Sequence, residues 1–475
     1  MKIFMRRMML IMAILPTVAG CAGLQPERRI GMSVDMPDRY TLYTGVEKGQ
    51  DQWWQAFDSP ELNNLVNEAL SRDFSIRSAR ARLRQASALA RQAGAGLVPV
   101  LDYSAGAETA RRQIKISSGG PVDTTADETW NLGLAASYEV DLWGRLRARQ
   151  QAGAVNFQAA REDLDAAAVS VAGKVVENWI DILAFRRKIT ILKQQIQANT
   201  TLLALQRLRF ANGAARALDV SQQRQALASV KAELPLLRLY ERQSINQLAL
   251  LLGRASASGL ELTQDTMPEL IPVPAVGLPA DLLAARPDVR AAGLRLRSAD
   301  WEVSAARADR LPAITLSAQA LFSGGSLDLL FSNWIARLAA GLTGPLFDGS
   351  RREAEVDRVR AVAAERMSDY AGIVAAAVKE VENSLIGELR QGEYLELLKE
   401  QLNASRLALK DARLQYRNGQ SDYLSYLSAW TSVQTLERQM VGEQAQLIKY
   451  RVLLYKTLGG DWTGRLVSSE STNIF

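Results

Sequence analysis

The chain has 475 residues, 48% hydrophobic and 23% charged, enough to bury sizeable cores. One cysteine and no histidine exclude an internal disulfide, histidine acid–base chemistry, triads that need histidine, and the usual zinc and copper sites. The net charge of +6 comes from interspersed signs, with no Lys/Arg block among aromatics, so nucleic acid is not an expected partner.

In chain order, Lys2, Arg6 and Arg7 precede an apolar run from Met8 to Val18 and then Val18-Ala19-Gly20-Cys21. A positive start, a short apolar stretch and small residues predict a signal peptide over 1–20. Val-Ala-Gly-Cys resembles a bacterial lipobox, which makes Cys21 the expected lipid attachment site. Ala22 follows it, not the aspartate associated with retention at the inner membrane, so the expected address is the outer membrane. Lys2, Arg6 and Arg7 leave with the signal, which lowers the formal charge from +6 to +3. Residues 21–58 carry the breakers Pro26, Gly31, Pro37, Gly45 and Gly49 and read as a lipidated tether.

A first structural repeat is expected over 59–257. Ser59-Pro60-Glu61 is a helix start, and one helix is predicted from there to about Gly94. The period changes to two in the strand region, about 98–143. Leu101, Tyr103, Ala105 and Ala107 share one face of the first run. Trp130, Leu132, Leu134, Ala136, Tyr138, Val140 and Leu142 share one face of the second. Each run is long enough for a tilted membrane strand of about 9–11 residues, and a half-buried soluble hairpin has the same period. A helical hairpin is predicted over about 144–253. Its first arm carries a 4-3 seam from Val171 through Ile182, Leu192, Asn199 and Gln206 to Phe210. The turn is Asn212-Gly213, and Pro235 is a candidate break in the return arm.

After a Pro-rich linker, 258–279, the order repeats over 280–460. Strands are expected at about 312–347 and a hairpin at about 349–459, with a tail over 461–475. Phe210, Asn212 and Gly213 map onto Tyr416, Asn418 and Gly419 at a constant offset of 206, and Gly253 maps onto Gly459. An offset of that length indicates a duplicated unit. Four strands cannot close a barrel and lipid cannot satisfy open edges, so membrane strands here require several chains to share one barrel. A barrel continued by helices of about 65 residues, near 100 Å at 1.5 Å per residue, is a conduit.

Three stretches carry a family resemblance. They are Trp53-Trp54 with Phe57, Ser59-Pro60, Leu62, Leu65-Val66 and Ala69-Leu70; the run 277–290 containing Leu-Pro-Ala-Asp-Leu-Leu and Arg-Pro-Asp-Val; and Leu248 to Gly253. They resemble the TolC-family outer-membrane efflux proteins, in the lipoprotein branch that serves resistance–nodulation–division (RND) pumps. The resemblance implies a mainly α fold with a β-barrel portion, in which duplicated long helical hairpins each carry an inserted membrane β-hairpin. It also implies a homotrimer sharing one barrel, a periplasmic adaptor and an inner-membrane RND transporter as partners, contact with outer-membrane lipid, and no cofactor, metal or catalytic residue. The expected function is a passive conduit for drugs or other small toxic compounds, driven by the inner-membrane pump. A periplasmic adaptor and a structural coiled-coil lipoprotein are the alternatives.

The resemblance places Asn212, Gly213, Asn418 and Gly419, with Asp219 in the same tip region, at the periplasmic tip, where the adaptor docks. Tyr416, Gly419, Tyr423, Leu424 and Leu427 match the family's constriction motif, while Ser428 stands where relatives carry an aspartate. Leu424 and Leu427 are therefore gate candidates, or ordinary packing leucines. Asp422 and, in the first copy, Asp219 are the acids nearest the turns, as pore charges or as helix N-terminal residues. The mouth is expected to close mainly by hydrophobic packing.

Overall fold

The computed structural model describes residues 52–115, 122–271 and 279–459, together with Gln25, Pro37, Tyr40, Ser118 and Val273. The expected signal peptide, the lipobox cysteine Cys21 and the tail 461–475 lie outside the described residues. A 3-10 turn, Trp53–Phe57, leads into α1 (Pro60–Arg72) and α2 (Phe74–Ala95). Then come β1 (Val100–Lys115), β2 (Val122–Val140), α3 (Arg145–Ala211) and α4 (Ala217–Leu251). The second series is α5 (Leu282–Ala285), α6 (Pro287–Ala308), β3 (Ala313–Gly324), β4 (Trp334–Thr343), α7 (Arg351–Arg417) and α8 (Tyr423–Leu458). Helices α3 and α7 are each 67 residues long and keep the offset of 206 at both ends.

Two local readings change. The single helix expected from Ser59 is two, because Asp73 starts a new one: its carboxylate accepts the N–H of Ser75 at 2.8 Å and of Ile76 at 3.2 Å. That is a side-chain N-cap, and it outcompetes continuation of the helix. Pro235, the candidate break, lies inside continuous α4. It sits on an exposed face, where the carbonyl it deprives of a donor can turn to water.

The chain forms two compact units. The described residues of Leu83–Ala160 and Ala292–Tyr370 make the first. Its antiparallel sheet has the order β1-β2-β3-β4. The register places Leu101 opposite Ala136, Ala136 opposite Ala318 and Ala318 opposite Leu338. Opposed residues share a face, so the apolar alternation of all four strands falls on one side of the sheet. That side is largely exposed among the described residues: Leu338 is 89% exposed and Tyr103 82%, while Phe331 covers Phe322. Phe322 lies directly opposite Trp334, and Trp130 lies one alternation beyond, forming an aromatic row. From Trp130 to Val140 is about 33 Å of strand at 3.3 Å per residue, or about 25 Å of height when tilted by about 40°. Beneath the strands, Asp141 caps α3 by accepting the N–H of Leu146 and Arg147 at 3.0 and 2.9 Å. Ala299, Val303, Val359 and Ala363 join α6 to α7.

The second unit contains the described residues of Ser33–Arg82, Arg161–Ala291 and Ala371–Phe475. Its centre explains the motif residues near the start of the chain. Trp53 stacks on Tyr455 at 5.5 Å, and Phe57 meets Trp179 at 6.3 Å. Glu61 accepts hydrogen bonds from the Trp179 indole at 3.1 Å and the Thr263 N–H at 2.6 Å. Burial opposes its ionisation, yet these bonds outweigh that and hold its carboxyl below the usual range. The Arg-Pro-Asp motif is structural too. Arg286 pairs with Asp288 at 2.7 Å and Glu380 at 2.9 Å, and donates to the carbonyl of Thr457 in the last turn of α8. Gly459 follows with φ 77°, its Cα so close to α5 that an added Cβ would lie 2.5 Å from the Ala285 carbonyl oxygen. Gly253 at the end of α4 stands in the same relation to the carbonyl of Arg72.

Candidate functional site at the hairpin tips

Both turns stop their helices in the same way. Gly213 and Gly419 adopt φ of 71° and 73°, which only glycine reaches without strain. The N–H after each glycine then returns to a carbonyl five residues back, Ala214 to Arg209 at 2.8 Å and Gln420 to Gln415 at 2.9 Å. This six-to-one closure satisfies the last carbonyls of α3 and α7. Asn212, Gly213, Asn418 and Gly419 are all exposed.

The two acids near the turns begin the return helices. Asp219 is buried and accepts the Arg216 N–H at 3.0 Å, with the Arg216 guanidinium 3.5 Å away. Asp422 is the N-cap of α8 and accepts the Ser425 N–H at 3.0 Å and hydroxyl at 2.6 Å. These hydrogen bonds favour the charged form and hold the Asp422 carboxyl below its usual range. The leucines separate as well. Leu427 is buried with Ala226, Tyr423 and Tyr426, whereas Leu424 is 48% exposed. Leu424 and exposed Ser428 line a groove between α4 and α8, together with Gln225, Ser229 and Thr431.

A buried polar chain connects the hairpins, and the sequence reading missed it. The Tyr423 hydroxyl donates to Gln223 Oε1 at 2.5 Å, and Gln223 Nε2 donates to Asn199 Oδ1 at 3.0 Å. Asn199 Nδ2 donates to Gln434 Oε1 at 3.0 Å, and Gln195 Nε2 donates to the Gln434 carbonyl at 3.0 Å. Arg438 closes the chain on Gln195 and on Glu233, the latter at 2.9 Å. Nearer the turns, Gln206 Nε2 donates to the Tyr416 hydroxyl at 3.2 Å. Asn199 and Gln223 are completely buried, so each bond substitutes for water that cannot enter. Burial also pushes the Tyr423 phenol up, with Tyr426, Tyr416 and Asp219 adding to the shift. Around the chain, Tyr416, Tyr423 and Tyr426 pack with ring centres 5.4 to 5.9 Å apart, and Arg209 lies 4.8 Å over the Tyr416 ring. A signal was present in the sequence: Asn199 and Gln206, like Asn178 before them, interrupt a mainly apolar heptad seam.

The two helical hairpins are thus cross-linked by a run of hydrogen bonds between uncharged side chains that ends in one ion pair, Arg438–Glu233. Among the described residues, no three His, Cys, Asp or Glu side chains are placed to hold a metal ion. No helix there is long and apolar enough to cross a membrane, and the exposed apolar face belongs to the sheet.

Known proteins share this arrangement. A pyoverdine export outer membrane protein, OpmQ of Pseudomonas aeruginosa, is 30% identical over 465 residues, spanning 96% of this chain and 97% of that one. Outer membrane protein OprJ of the same organism is 30% identical across 86% of each. The solved outer-membrane channel OprN superposes with a TM-score of 0.85 at 26% identity, covering 92% of this chain and 99% of that one. VceC of Vibrio cholerae gives 0.80 at 27% identity over 87% of this chain and 100% of that one. The family model for outer membrane efflux proteins matches residues 65–254 and 278–460. With its exposed apolar sheet face and paired long hairpins, this chain belongs to the outer membrane efflux protein family and is an outer-membrane efflux channel.

Proposed function

We propose that this channel is a homotrimer that forms a passive trans-periplasmic conduit, without enzymatic activity. It exports drugs or other small toxic compounds with energy supplied by an inner-membrane RND transporter through a periplasmic adaptor. One observation carries this reading: the four strands present a single, largely exposed apolar face while, among the described residues, both sheet edges, β1 and β4, have no partner strand. Lipid cannot satisfy open edges, so β4 of one copy pairs with β1 of the next until the barrel closes. Three copies make twelve strands and one tunnel of paired hairpins.

In this reading 1–20 is a signal peptide, Cys21 is acylated, and 21–58 runs from the lipid to the second unit. Residues 59–257 and 280–460 are two copies of one repeat joined by 258–279, and 461–475 is a tail. The tips at Asn212-Gly213 and Asn418-Gly419 dock the adaptor. Leu424 is the hydrophobic gate, while Leu427 packs behind it and Ser428 leaves the next turn uncharged. Asp219 and Asp422 act through the helix starts they cap. Opening is a second arrangement of the same hairpins, selected when the adaptor binds it better than the closed one.

The test is extraction from outer membranes. A heat-modifiable trimer labelled with palmitate, and losing that label in Cys21→Ser, is expected. A monomeric or inner-membrane protein would overturn the assembly.

A further inference from the structure

We infer that the tip mouth is electropositive and makes the conduit anion-selective, so that the solutes it passes best are small anions. The inference rests on the conduit reading and adds its substrate class. Residues 203–224 and 406–426, which contain both turns, carry eight Arg or Lys against three Asp, a net charge of +5 per chain. The mature chain as a whole is nearly balanced, so this excess is local.

The contacts leave the imbalance on exposed side chains. Arg207, Arg224, Lys410, Arg413 and Arg417 are all exposed and, among the described residues, have no carboxylate partner within ion-pair distance. Of the three acids, Asp219 is buried and paired with Arg216, while Asp422 is exposed and keeps its charge at the start of α8. Asp411 is the other exposed acid, so two exposed carboxylates stand against five exposed cations. Ser428, on the groove beside Leu424, adds no charge. The polar face of the sheet does not supply a comparable positive field, since Asp102, Glu108 and Asp127 stand there against Arg112 and Arg337, and Glu139 is paired with Arg145.

Surface charge of one sign around an opening raises the local concentration of counter-ions. A potential of about one kT per unit charge enriches a monovalent anion over a monovalent cation about sevenfold. Because the cations are exposed, their field is screened within a Debye length of about 10 Å at 0.1 M salt and about 3 Å at 1 M. A selectivity set at the mouth therefore weakens as salt rises, which a merely structural role of these arginines does not produce.

The experiment is the reversal potential of the full-length trimer in planar bilayers under a KCl gradient. The wild type is expected to favour chloride over potassium several-fold in dilute salt and less in concentrated salt. Replacing Arg207, Arg224, Arg413 and Arg417 together by Gln is expected to bring the ratio close to one, while the same four replaced by Lys retain it. Potassium preference in the wild type, or a chloride preference unchanged by the four Gln substitutions, overturns the inference and leaves the conduit intact. A protein that extracts from outer membranes as a monomer instead removes the conduit reading, and the inference with it.

Discussion

Tyr423→Phe isolates the joint between the hairpins. The change removes one oxygen and keeps the ring, which packs against Tyr416 and Tyr426. It takes away the donor to Gln223 Oε1 at 2.5 Å, in a place where Gln223 is completely buried. A buried acceptor left without a donor costs about 1–3 kcal/mol, against about 1 kcal/mol for the net hydrogen bond itself. When the hairpins part, water reaches Gln223 and the penalty disappears, so the loss falls on the closed arrangement alone. The closed-to-open ratio is then expected to drop roughly 5- to 150-fold per chain. Single-channel recording in planar bilayers measures this as a higher open probability, and Tyr416→Phe, at a half-buried site, is the milder comparison. If Tyr423→Phe lowers the melting temperature of the trimer but leaves open probability at the wild-type value, the chain of bonds is packing and not a latch.

Leu424→Ala is expected to raise closed-state conductance, because its side chain is exposed within one chain and free to meet its copies; unchanged conductance removes it from the gate. Gly459→Ala is expected to cost about 2–4 kcal/mol, since a left-handed φ coincides with a Cβ 2.5 Å from the Ala285 carbonyl oxygen. Gly419→Ala meets open space and is expected to cost about 1–2 kcal/mol from backbone strain alone; thermal melts in detergent that rank the two the other way contradict the close approach. Burial opposes ionisation of Asp288, but the hydrogen bond and charge of Arg286 outweigh it and hold the carboxyl below its usual range. A depressed carboxylate stabilises the fold above its unfolded pKa, about 3.9, and that contribution is lost as pH falls through the lower folded value. Melting temperature is therefore expected to fall more steeply below about pH 4 in the wild type than in Asp288→Asn, and parallel pH profiles would count against the pair.

The legible features were those with a local cause. The Asn-Gly turns announced themselves because a left-handed glycine after an asparagine is a chain property, and both copies close as expected. Asp73 was legible in principle as a helix start, yet the continuous apolar periodicity around it concealed the break. Pro235 misled in the other direction, because an exposed proline costs a helix one bond that water replaces. Asp219 and Asp422 were visible as acids near a helix start, but only their contacts separate a buried capping carboxylate from an exposed one.

From its sequence alone, this protein's two periods and its apolar strand faces were determined, because each depends on neighbours a few residues away, and its duplication at an offset of 206, because the chain repeats the same local pattern in the same order. Tertiary structure decided which strand lies beside which. The pairing of β2 with β3 joins residues nearly 200 positions apart and turns two hairpins into one apolar face. It also decided what the polar interruptions of the heptad seam are for. Asn199 reads as a defect in one helix and becomes a junction when Gln223 and Gln434 arrive from two others. A buried amide acquires its role only from its partners, and those partners are set by packing across the whole unit.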